Sequence, residues 1–163
     1  MKLIFKIAST TDIPEIISIA DRTWKQTYRG IISDAQIEFM YSNNYTAEAI
    51  ANQINDGHIY ALAFEGDIAL GFASYSQPAQ DIVRIHKLYV LPDTQGKGVG
   101  RFLIDSVSEQ AKTLGASILE LNVNRYNKAK VFYEKIGFEI SQEVDIPYGD
   151  FVLNDYVMRR PIV

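Results

Sequence analysis

The chain has 163 residues and a net charge of −4 at pH 7, with 47% hydrophobic and 22% charged residues. This balance suits one folded domain with a sizeable core and leaves no basic footprint for nucleic acid. It has no cysteine and only two histidines, His58 and His86, which excludes disulfides, thiolate metal sites and a cysteine nucleophile and argues against any metal centre.

No apolar run reaches the roughly 20 residues of a membrane span, and Met1–Lys6 is too short for a signal peptide. No membrane association and a reducing cytoplasm are therefore expected. Leu3–Ala8 alternates as a strand. Thr11-Asp12-Ile13-Pro14 starts a helix, with a capping acid and an early proline. Ile13, Ile16, Ile17, Ala20 and Trp24 recur at helical spacing, so this helix is expected to continue to Tyr28-Arg29-Gly30. A second helix is predicted over Ser33–Tyr41, and a third from Thr46 to Asn55. His58–Glu65 and Ile68–Tyr75 read as strands of a hairpin turning at Gly66-Asp67. Ile82–Leu91 is a further strand, ended by Pro92.

Gln95-Gly96-Lys97-Gly98-Val99-Gly100 follows and opens an amphipathic helix with Phe102, Leu103, Val107, Ala111 and Leu114 on one side. Gly115 closes that helix. Ser117–Val123 is a strand and Asn127–Ile136 a short helix. Phe138–Glu143 and Phe151–Arg159 read as a final antiparallel pair, with Asp145–Asp150 as the connecting loop. No linker or repeat interrupts the pattern, so residues 1–163 read as one α/β domain.

Strand, glycine-rich turn and helix in succession make an anion site. Glycines let backbone approach a ligand, and the first helical turn presents N–H groups without acceptors in a positive dipole field. Lys97 and Arg101 add full charges. A P-loop would need Lys-Ser/Thr after the last glycine, which is absent, and the dinucleotide fingerprint fails because the third glycine comes one position early. A glycine-rich connection without a ligand is the alternative on these residues alone.

Leu88-Tyr89-Val90-x-Pro92-x-x-Gln95-Gly96-Lys97-Gly98-Val99-Gly100 resembles the central motif of the GNAT acetyltransferase superfamily, Gln/Arg-x-x-Gly-x-Gly/Ala. Asn127 to Phe138 resembles its second motif. The resemblance implies a mixed α/β (α+β) domain: about six to seven strands, about four to five helices on both faces, and a parallel pair, Arg84–Leu91 and Ser117–Val123, that splays at the cofactor. It implies acetyl-coenzyme A as co-substrate, with no metal. The diphosphate would lie on the amides of Gln95 to Arg101 and the pantetheine arm along Leu88, Tyr89 and Val90. The Val90 amide would stabilise the oxyanion, and Tyr133 would protonate the leaving thiolate; a plain core aromatic is the other reading of Tyr133.

For the base, His86 is placed on the face shared with Leu88 and Val90 and titrates in the useful range; a structural strand histidine with a water chain doing the work is the alternative. The helix motif's asparagine falls one residue late, at Asn127, a rotation of about 100°. This leaves Asn122, Asn124 or Tyr126 as candidates beside it. Lys128 and Lys130 would meet coenzyme phosphates or form a solvated face.

The segment Trp24-x-x-Thr27-Tyr28-x-Gly30-Ile31 resembles a subset that includes PaiA-type polyamine acetyltransferases. It implies an acceptor pocket walled by Trp24 and Tyr28, with Tyr148 from a second loop, and aromatics of this kind suit cationic amines. Trp24 also fits the core stripe. The implied acceptor is a small primary amine such as spermidine or spermine. Antibiotic, protein N-terminal or lysine acceptors are alternatives, as is a coenzyme A sensor without turnover. Homodimers are common in the family.

Overall fold

In the computed structural model, which describes residues 1–163, seven strands form one sheet in the order β1-β2-β3-β4-β5-β7-β6. The strands are β1 (Ile4–Ile7), β2 (Ile59–Glu65), β3 (Ile68–Ala79), β4 (Ile82–Val90), β5 (Ile118–Asn124), β6 (Glu139–Tyr148) and β7 (Phe151–Pro161). Every neighbouring pair is antiparallel except β4–β5. That parallel pair is joined by α5 (Val99–Thr113), the crossover that a parallel connection requires. The mixed sheet and the parallel pair are those the family resemblance implied.

Alternation along the strands gives the sheet two apolar faces, each covered by helices. One face packs under α5 and α6 (Ala129–Lys135), with Val83, Ile85, Leu119, Leu121 and Met158 meeting Leu103, Ile104 and Val107. Each such fully buried aliphatic side chain contributes about 1.5–3 kcal/mol of transfer free energy. Leu114, expected on the buried side of α5, is 45% exposed. It caps the helix C-terminus, where the chain turns outward.

The other face carries α1 (Ile13–Asp21), α2 (Trp24–Tyr28), α3 (Asp34–Asn44) and α4 (Ala47–Asn55), which bury Ile16, Ile50, Tyr60, Leu62 and Phe72. Ser33 and Thr46 cap α3 and α4 by accepting from Gln36 N–H and Ala49 N–H. The single helix expected from Ile13 to Tyr28 is broken at Arg22–Thr23. Thr23 Oγ1 donates to the carbonyl of Ile19 at 2.7 Å, a back-bond that bends helices.

The last hairpin is longer than expected. Asp145–Tyr148 lies in β6, not in a loop, and only Gly149-Asp150 makes the turn. Pro147 is tolerated there because β6 is an edge strand.

Candidate active site

The parallel ladder between β4 and β5 runs only from Ile82↔Ile118 to Ile85↔Leu121. Beyond it β4 continues five residues to Val90 and β5 three residues to Asn124, each still paired to its outer neighbour. Their inner edges face a cleft of about 940 Å³. Leu91 gives its N–H to the carbonyl of Leu70 on β3 at 2.8 Å. Because backbone groups alternate along a strand, the N–H of Val90 points the other way, into the cleft. Gln95 Nε2 donates to the carbonyl of Val90 at 3.3 Å from the same side. A strand-like ligand arm therefore finds free backbone partners here.

The glycine-rich turn closes one end of this cleft. Gly96 and Gly98 have φ of +80° and +85°, and Gly98 is the N-cap of α5. The first helical bond is Phe102 N–H to Gly98 C=O at 2.9 Å, and the amides of Gly98, Val99, Gly100 and Arg101 have no backbone acceptor. No acidic residue lies in the first turn. A Cβ at Gly98 would meet nothing within 4 Å, whereas one at Gly100 would lie 3.4 Å from Phe132 Cζ. The turn thus keeps its amides open on one side and packs tightly on the other, which fits a diphosphate.

Of the residues expected to hold a cofactor, Leu88, Tyr89, Val90, Gln95, Gly96, Gly98, Val99, Gly100, Arg101, Asn122 and Asn127 line the cleft. Lys97 and Lys130 do not. Lys130 is turned onto Glu134 at 3.1 Å, one helical turn away, and over the Tyr156 ring. Lys128 lines the cleft in its place. Asn127 Oδ1 accepts from Ala129 N–H at 2.9 Å, so this side chain starts α6. Tyr133 projects from α6 to the cleft wall, 9% exposed. Burial, and then the neighbouring Tyr28, push its hydroxyl above the ordinary phenol range, so it stays protonated.

His86 is not on the face of Leu88 and Val90. Ser74 faces Lys87 while Tyr75 faces Ile85, so His86 is the extra residue of a β-bulge, and the bulge resets the alternation. Leu88 and Val90 join Ile85 on the α5 face. His86 instead turns to the α1–α4 face, where Nε2 lies 2.6 Å from Ser76 Oγ and the ring stacks on His58. Although its surface is partly open, burial, His58 and the cations Arg84 and Lys87 push the ring down to about 4, so it is neutral near pH 7.

On that same face a smaller cavity of about 220 Å³ adjoins the cleft, sharing Tyr28, Ile85, His86, Lys87, Tyr89 and Asn122 with it. Tyr28 and Tyr89 hydroxyls meet at 3.3 Å. Trp24 contributes to the wall yet is 3% exposed and packs on Tyr28, Tyr41 and Tyr45, so it serves the core as well. Tyr148 lines neither cavity: it accepts from Asn44 Nδ2 at 3.0 Å and packs edge-on against Phe39. It pins the β6–β7 hairpin to α3, because the strand continues where a loop was expected.

Residues 29–146 match the family described as the acetyltransferase (GNAT) domain. The chain belongs to the GNAT acetyltransferases. An uncharacterised N-acetyltransferase of Mycobacterium tuberculosis is 30% identical over 156 residues, covering 94% of this chain and 99% of that one. A spermidine N(1)-acetyltransferase of Thermoplasma acidophilum is 28% identical over 159 residues, 94% and 96% of the two chains. The crystal structure of PaiA N-acetyltransferase from Thermoplasma acidophilum, in complex with coenzyme A, superposes with a TM-score of 0.84 at 26% identity over 99% of each chain. This acetyltransferase is accordingly an acyl-transfer enzyme, and acetyl-coenzyme A is its donor. Its helices include none long and apolar enough to cross a membrane.

Two residues of the acetyltransferase's smaller cavity do not stand out in the sequence. Lys87 Nζ donates to Gln53 Oε1 at 3.0 Å and Tyr60 Oη at 2.7 Å over the Tyr45 ring, and burial pushes it down to about 7. Asp155 is 9% exposed on β7, and burial raises its carboxyl. A signal existed for Asp155: it alternates with Leu153 and Val157, an acid between apolar neighbours on one strand face.

Proposed function

We propose that the enzyme acetylates a small primary amine, a polyamine such as spermidine or spermine, by direct attack of the amine on the thioester. The observation that carries this reading is the junction of two cavities at Tyr28, Tyr89 and Asn122, one fitted to a coenzyme and one walled by aromatics. The likeness to the archaeal spermidine acetyltransferase supports the acceptor class.

Acetyl-coenzyme A, when bound, supplies an acetyl group activated as a thioester. In this reading the amides from Gly98 to Arg101 hold its diphosphate, with Arg101 adding charge. The Val90 N–H, aimed into the cleft, is the donor for a developing oxyanion; one such donor is worth about 10²–10³ in rate. Tyr133, kept protonated by burial, is the proton donor to the leaving sulfur. The amine proton leaves through water: His86, on the acceptor face four residues from Val90, is pushed down to about 4 and is too weak a base to hold that proton near pH 7.

The test is thiol release from acetyl-coenzyme A across a panel of amines that includes spermidine and spermine. Release with polyamines is expected. Release with none of the amines would remove the small-amine reading, and the absence of a thermal shift with acetyl-coenzyme A would remove the coenzyme site itself.

A further inference from the structure

We propose that Asp155 is a specificity-determining residue: with the amide oxygen of Asn122, it seats a second, non-reacting ammonium of the acceptor. This rests on the small-amine reading above and narrows it to acceptors with two nitrogens set well apart. The Asp155 carboxylate lines the smaller cavity, and its one hydrogen bond is a 3.5 Å contact from Asn122 Nδ2. No lysine or arginine forms a salt bridge with it, although it is 9% exposed. Asn122 Oδ1 beside it is buried without a donor.

The cations of the same cavity are engaged elsewhere. Arg84 is paired with Glu120, and Lys87 is bound to Gln53 and Tyr60. What remains free in the cavity is the Asp155 carboxylate, the Asn122 amide oxygen and the Tyr45 hydroxyl, none of them cationic. A buried carboxylate without a partner is unfavourable, and an incoming ammonium supplies both the charge and the donors. The rings of Trp24 and Tyr28 stand in the same wall, which suits a cation.

Position decides which nitrogen sits there. Asp155 pairs with Asn124 of β5, so it lies two strands from the β4 edge that carries Val90, more than about 10 Å because β4 and β5 have already parted there. An anion touching the reacting nitrogen would hold it protonated and unreactive. At two strands' distance the carboxylate instead recognises the far end of the acceptor while the near amine stays free to lose its proton.

The experiment compares 1,8-diaminooctane with octylamine, which differ in the far ammonium, by calorimetric titration into the protein saturated with coenzyme A. Thiol release is measured in parallel. The wild type is expected to bind the diamine about tenfold more tightly or better, and Asp155→Asn to bring the two amines within about twofold. The variant should keep its coenzyme A affinity and unfold at a higher temperature without ligand, because the burial cost of a carboxylate held only by one long hydrogen bond and the more distant fields of Arg125 and Arg84 is gone. Equal binding of the two amines by the wild type overturns the assignment, as does a preference that survives Asp155→Asn or a variant that is less stable. Thiol release without diamine preference would sink the Asp155 seat and leave acetyl transfer standing. Diamine preference in calorimetry without release from any amine would do the reverse.

Discussion

The ring of His86 lies flat on the ring of His58, with centroids 4.2 Å apart and planes 7° from parallel. Two imidazoles stack this way most favourably while at least one is neutral, because two imidazolium charges at this distance repel. Burial lowers both, His86 to about 4, and each ring also lies in the field of Lys87. These two rings therefore bind fewer protons in the folded chain than in the unfolded chain between about pH 4 and 6.5. The stability that the pair contributes rises with pH across that window and is lost as pH falls through it. Denaturant unfolding at a series of pH values should show this slope, and His86→Gln should flatten it relative to wild type. Parallel curves for the two proteins would contradict the coupling.

Gly98 separates fold from ligand. With φ at +85° and open space within 4 Å of where a Cβ would stand, a side chain there meets conformational strain but no clash. Gly98→Val should cost about 1–2 kcal/mol of stability from the left-handed backbone. Its larger effect should fall on coenzyme A, whose dissociation constant is expected to rise at least about tenfold as the open face of the amide cradle fills. Calorimetry and thermal unfolding read the two effects separately. A destabilised variant with unaltered coenzyme affinity would place the diphosphate elsewhere.

The glycine turn is legible in the sequence because its chemistry is local: the order strand, turn, helix and the positions of three glycines are written within Leu88–Arg101. The bulge at His86 is not, because a bulge is a relation between two strands, and nothing within Ile82–Leu91 shows that Ser74 and Tyr75 of β3 skip a residue. The break at Thr23 is hidden for a related reason. The apolar stripe from Ile13 to Trp24 continues across it, and only the hydroxyl bond to Ile19 turns the chain. Tyr148 reads as a loop residue because Asp-Ile-Pro-Tyr has loop composition, while the sheet edge allows a proline strand. Asp155 faces a cavity whose other walls come from α2, α3, β4 and β5, elements far away in sequence.

Tyr133 tests the proton donor. Its ring is buried between Phe132 and Phe138, so Tyr133→Phe keeps the packing and removes only the hydroxyl. The expected result is a fall in kcat of about 10²-fold or more, with coenzyme A affinity held, as for loss of a general acid. The effect should be smaller with donors whose thiol is more acidic, since such a thiolate needs less help to leave. A variant with full turnover would return Tyr133 to the core.

Glu120 holds the strands together just below the point where they part. It is 7% exposed and lies between Arg84 of β4 and Arg159 of β7, the latter at 2.8 Å. Arg84 and Glu120 are register partners one step before the last rung of the parallel ladder, so this ion triad fixes where the cleft begins. Replacing the shared anion by a neutral amide leaves two guanidinium groups facing each other with no negative charge between them. Breaking a buried pair in this way costs about 3–5 kcal/mol, and the partial exposure of Arg159 favours the lower end, about 3 kcal/mol. Glu120→Gln should therefore lower the unfolding free energy by roughly that amount, measured by urea titration. It should also weaken coenzyme A binding through a cleft that opens one residue early. Glu120→Gln combined with Arg84→Met removes one of the stranded charges and should recover part of the stability; a double variant no better than the single one would show that the triad does not hold the ladder's end.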